Sequence, residues 1–169
     1  MMSLLVATAF AAGVSCALPA TEIARQVSLP YATFDTMGPP YGWRYLSGAG
    51  CTDAAVGLLE GYANANARDL NPSAAMELPF HIGQVLALAG RERDSIAYFE
   101  QSVARGGDEW RTYVAATIAF LKRDADVLAS ARARYASLAP ESVRLRFIDG
   151  FIACPNEPYA KAVHCAMGH

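Results

Sequence analysis

From Cys51 to Ala153 the apolar residues recur every three or four positions, a spacing that a train of amphipathic helices can bury on one side. Ala54, Ala55, Leu58, Leu59 and Tyr62 form a first stripe behind Thr52 and Asp53. Asn71-Pro72 marks a helix start, with asparagine as cap and proline in the first turn. Leu78, Ile82, Val85 and Leu86 then face inward until Gly90 ends the run. Ile96, Phe99 and Val103 follow and are closed by Gly106-Gly107. Asp108 caps a helix that turns Tyr113, Val114, Thr117, Phe120 and Leu121 inward and stops near Asp124. Val127, Leu128, Ala131 and Tyr135 lead to Pro140, and Val143, Phe147, Ile148, Phe151 and Ile152 make the last stripe. No alternating strand pattern bounded by hairpin turns interrupts these stripes, so the class is all-α.

The ends differ from this middle. Leu4 to Val14 is an uncharged run followed by small residues at Ser15, Cys16 and Ala17, with no charge before Glu22. That pattern predicts an export leader over residues 1–17, cut after Ala17 or Ala20. The run is too short to span a bilayer, which takes roughly 20 apolar residues. The n-region lacks Lys and Arg, and the competing readings are a buried first helix or a lipid-modified Cys16, for which Gly13 fits poorly. Residues 18–50 alternate Pro19, Pro30, Pro39 and Pro40 with Gly38, Gly42, Gly48 and Gly50, yet carry Tyr31, Phe34, Tyr41, Trp43 and Tyr45. Aromatics need somewhere to be buried. An irregular arm packed along the helices is expected, with at most a short helix at Tyr41–Leu46. An aromatic ligand platform is the sharper alternative.

A net charge of −2 supplies no basic footprint for nucleic acid, and none is expected as a partner. Twelve arginines against two lysines, with abundant alanine, fit a bacterial-type chain of GC-rich coding. The expected location is periplasmic or secreted, with no stable membrane insertion once the leader is gone.

At a shift of 34 residues the stretch from Leu78 superposes on that from Thr112. Gly83, Leu86, Gly90, Phe99 and Ser102 in one copy supply a small, an apolar, a turn, an aromatic and a small residue. Tyr113, Thr117, Phe120, Asp124, Ala129 and Ala136 in the next supply aromatic, small, aromatic, turn, small and small. This pattern, and the segment GQVLALAGRERDSIAYFEQSV, resembles the tetratricopeptide (TPR) repeat over residues 78–138, with a degenerate copy at 41–62. Ser95 and Ala133 depart from it, and Pro140 comes a residue early. The resemblance implies a right-handed stack of antiparallel helix pairs, about two to three repeats. It also implies a scaffold that binds another protein or peptide in a groove lined by the first helix of each pair. Glu77, Phe80, Gln84 and Leu88 from one copy, and Arg111, Val114, Ile118 and Lys122 from the next, would line that groove. The partner-binding candidates are therefore Glu77, Phe80, Gln84, Arg111 and Lys122, unless the arm or the last helix covers them.

Chemistry finds little to stand on. There is no G-x-S-x-G, H-E-x-x-H or glycine-rich phosphate loop, and no cofactor is expected. His81, one turn after Glu77, could hold one side of a metal site or centre a small secreted hydrolase; that is the alternative to a non-enzymatic module. His164 and His169 have no neighbouring nucleophile. Loss of Cys16 with the leader leaves Cys51, Cys154 and Cys165, hence one bridge and one free thiol. A bridge needs Cα atoms within about 7 Å. Pro155 and Pro158 turn the chain between Cys154 and Cys165, whereas Cys51 would lie several hairpins away in an open stack. Cys154–Cys165 is the expected pair, in a tail over residues 154–169, and Cys51 the buried free thiol.

Overall fold

The structure, a computed structural model, describes residues 16–166. The expected leader lies almost wholly outside that range, as does His169. Ten helices and no strand occur among the described residues: α1 (Ala20–Val27), α2 (Tyr31–Asp35), α3 (Trp43–Gly48), α4 (Thr52–Ala65), α5 (Pro72–Leu88), α6 (Glu92–Val103), α7 (Asp108–Leu121), α8 (Ala125–Leu138), α9 (Val143–Ala153) and α10 (Tyr159–Ala162). The all-α class holds.

Three turns of one kind organise the chain. After α3, Cys51 N–H bonds Leu46 O at 2.8 Å and Gly50 N–H bonds Ser47 O at 3.1 Å. After α5, Arg91 N–H reaches Leu86 O at 2.9 Å and Gly90 N–H reaches Ala87 O at 3.1 Å. After α7, Asp124 N–H meets Ala119 O at 2.9 Å and Arg123 N–H meets Phe120 O at 3.0 Å. Each is the paired carbonyl closure of a Schellman turn, which needs a left-handed residue in the middle. Gly50 (φ 80°), Gly90 (φ 79°) and Arg123 (φ 59°) are that residue. Turns this short fold the second helix back along the first, giving α3–α4, α5–α6 and α7–α8 pairs. The pairs meet through α4 on α5, α6 on α7 and α8 on α9, with α7 also touching α9.

Arg123 is the exception among the three, because a side chain there costs roughly 1–2 kcal/mol of backbone strain. Its guanidinium donates to the carbonyls of Pro155 (2.5 Å) and Glu157 (3.1 Å), lies 4.7 Å from the Phe120 ring centre, and approaches Glu92 at 3.6 Å. Glu92 in turn accepts Tyr159 N–H at 2.6 Å. The turn residue thus fastens the loop that leads into α10. Arg123→Gly relieves the strain and loses the tail contacts; Arg123→Ala keeps the strain and loses the contacts. Urea unfolding should find the alanine variant less stable than the glycine variant by about 1 kcal/mol. Equal stabilities would mean that the turn carries no strain.

Two apolar clusters share α5. Leu78, Ile82, Val85 and Leu86 face Phe34, Trp43, Leu46, Leu58, Leu59 and Tyr62 on one side. Phe80 and Ala87 face Phe99, Trp110, Tyr113, Phe120, Phe151 and Tyr159 on the other. Gly83 lets α6 come close, since a β-carbon there would sit 3.1 Å from three ring carbons of Phe99. Pro79 stands inside α5, where a proline deprives the preceding turn of a donor. Neighbours fill in: Arg105 donates to Ala75 O at 3.4 Å, and Ser102 Oγ donates to Met76 O at 2.8 Å while accepting from Trp110 Nε1 at 2.8 Å.

The ends are more ordered than the sequence implies. The expected irregular arm contains three helices, not one. Pro19 and Pro30, read as breakers, are the caps of α1 and α2, because a proline disturbs only what precedes it. Tyr62 OH donates to Leu29 O (2.8 Å) and Asn66 Nδ2 to Val27 O (2.9 Å), holding α1 on α4. At the other end α10 packs on both α9 and α5, so the tail closes back over the helices instead of trailing from them.

Candidate partner-binding face

Seven of the eight expected lining residues lie on α5 and α7 and Lys122 caps the end of α7, but they do not form one open groove. Phe80 is 5% exposed, and its ring meets those of Phe99 (5.3 Å), Trp110 (4.9 Å) and Tyr113 (5.7 Å). Val114 is wholly buried in the same cluster. Gln84 is half-buried beside the His81 imidazole and the Tyr159 hydroxyl, although neither His81 Nδ1 nor Tyr159 OH finds a well-formed hydrogen bond. Leu88 and Arg111 are exposed. Lys122 is exposed as well, yet Nζ pairs with Glu100 of α6 at 2.9 Å. Glu77, half-buried, lines a groove of about 590 Å³ with Tyr31, Asp35, Thr36, Asn71 and Ser73. The arm therefore encloses the start of α5, and α10 lies across its end.

His81 sits where the arm meets α5. Its Nε2 is 3.4 Å from Asp35 Oδ1, and its ring centre is 4.7 Å from that of Trp43. Asp35 is gripped by Arg44, whose Nη2 reaches the two carboxylate oxygens at 2.9 and 2.8 Å and whose Nε reaches the Asp35 carbonyl at 3.0 Å. The same guanidinium lies 4.1 Å from the Trp43 ring centre. Burial pushes the imidazole down to about 4; the Asp35 carboxylate opposes that shift, and the Arg44 charge reinforces it. His81 is thus neutral at pH 7. The sequence pairs His81 with Glu77, but the structure pairs it with Asp35 and turns Glu77 toward Tyr31. Among the described residues no group of three or more His, Cys, Asp or Glu side chains stands close enough to hold a metal ion. No motif could have announced Asp35, Trp43 and Arg44, because they reach His81 only through the fold of the arm.

The sign of the pH effect follows from the shift. The unfolded imidazole protonates near 6.5, the folded one lower, so between those values the unfolded chain binds more protons. Stability is complete above about pH 6.5 and falls through the window below it, by at most about 1.4 kcal/mol per pH unit. Urea midpoints between pH 7 and pH 4 should fall more for the native protein than for His81→Gln. Parallel curves would show that His81 is accessible to protons in the folded state.

The cysteines form two pairs. Cys154 and Cys165 are bonded (S–S 2.05 Å, Cα atoms 6.3 Å apart). Cys51 corrects the sequence reading: it is bonded to Cys16, with Cα atoms 5.2 Å apart, and no free cysteine occurs among the described residues. The expected free thiol followed from assigning Cys16 to the leader. No described helix is long and apolar enough to cross a membrane.

Protein-family models give no match to this chain, and neither curated proteins nor solved structures match it.

Proposed function

We propose that this is an exported, TPR-like helical module that binds another protein or peptide and carries no catalytic site of its own. The observation that supports it is the threefold use of one turn geometry, at Gly50, Gly90 and Arg123, each joining two helices that pack on one another. Stacked pairs make extended surfaces suited to binding rather than chemistry. The two cysteine pairs fit an oxidising compartment. Of the candidate contacts, Arg111 and Lys122 are exposed, Glu77 and Gln84 are half-buried, and Phe80 lies in the core. The test is capture from an envelope extract with the native protein and with Arg111→Glu, each checked for folding by circular dichroism. The same partner should be retained by the first and lost by the second. Equal retention would move the binding face elsewhere.

A secreted hydrolase centred on His81 is the second reading, and the Asp35 carboxylate facing its Nε2 is what favours it. Against it, the imidazole's neighbours are Trp43, Phe80, Asp35 and Gln84, none of which offers a hydroxyl or thiol for His81 to activate.

A further inference from the structure

Cys51 is buried immediately before α4, and its N–H closes the turn after α3, so its sulfur is delivered at a fixed place and Cys16 must come to it. The chain that brings Cys16 there is part of the fold: α1 packs on α4, and the Tyr62 and Asn66 bonds to Leu29 and Val27 anchor its end. Cleavage after Ala17 or Ala20 would discard Cys16 and strand Cys51 as a buried thiol with no partner. We propose that the leader is instead removed on the amino side of Cys16, and that the new end of the chain is stapled to α4 through Cys16–Cys51.

This rests on the export reading given above. The sequence marks a suitable bond, because Gly13 and Ser15 place small residues at alternate positions before Cys16. Hydrolysis there adds the hydroxyl of water to the departing carbonyl and a proton to the new amine. Closure of the staple passes two electrons and two protons from the Cys16 and Cys51 thiols to a protein disulfide donor, through a mixed disulfide. The bridge also uses the sulfur that a thioether-linked lipid would need. Cys16 is therefore a redox staple and not a lipid anchor.

The protein is to be recovered from the native envelope with free thiols alkylated, digested without reduction and read by mass spectrometry. The expected result is an amino terminus between Val14 and Cys16, on a peptide joined to the Cys51 peptide. A terminus at Leu18 or Thr21 with alkylated Cys51 overturns the inference while leaving export intact, and so does an acylglyceryl mass on Cys16. Retention of Met1 overturns the inference and the export reading together. Any other terminus, or Cys16 and Cys51 both alkylated, also overturns it.

Discussion

Replacing Phe99 by alanine lowers stability by about 3–5 kcal/mol, the range for emptying a buried aromatic site. Phe99 is wholly buried where α5, α6 and the tail converge. Its ring abuts Gly83, meets Phe80 edge-on at 5.3 Å, and lies 6.5 Å from Tyr159. Relaxation cannot close the gap easily, because Gly83 has no side chain to move and Ser102 is tied to Met76 and Trp110. Urea unfolding followed by circular dichroism measures the loss. A cost below about 1 kcal/mol would show that the ring does not wedge the α5–α6 pair.

Tyr159→Ala has a comparable expected cost, about 3–5 kcal/mol, and a different consequence. Tyr159 is 1% exposed and packs toward Phe99, Phe120 and Phe151, the last at 5.7 Å. Without it, α10 remains tethered through Cys154–Cys165 but loses its wedge. Amide exchange should therefore quicken first over residues 155–165. Tyr159→Phe is the control. The hydroxyl lacks a well-formed hydrogen bond, so its removal should cost less than about 1 kcal/mol and can even stabilise. If phenylalanine proves as harmful as alanine, the hydroxyl matters through Gln84 and the packing account fails.

The stripes of α4 to α9 were legible because each helix buries one face, and burial imposes the period. Asn71 is a case where even the cap could be read: its side chain accepts Ala74 N–H at 2.8 Å. The arm was not legible, since α2 and α3 are too short to show a period. Tertiary bonds hold the arm instead, as when buried Gln26 donates to the Tyr41 carbonyl at 3.1 Å. Phe80 was legible as a groove-lining candidate of the repeat, but not as core, because its cover comes from elsewhere in the chain. Cys51 shows a different failure. Its partner was present in the sequence and was removed from the count by a processing assumption.

The two sulfur staples lie at opposite ends of the fold and leave α5 to α8 unbridged. Frayed ends are where degradation of small proteins usually begins. Here the two ends of the described residues are tied back, Cys16 to the start of α4 and Cys165 to the end of α9. Within the described fold the unbridged central hairpins are then the part whose opening admits a peptidase. Proteolysis of the described fold is then governed by how often those hairpins open rather than by fraying at the two tied ends.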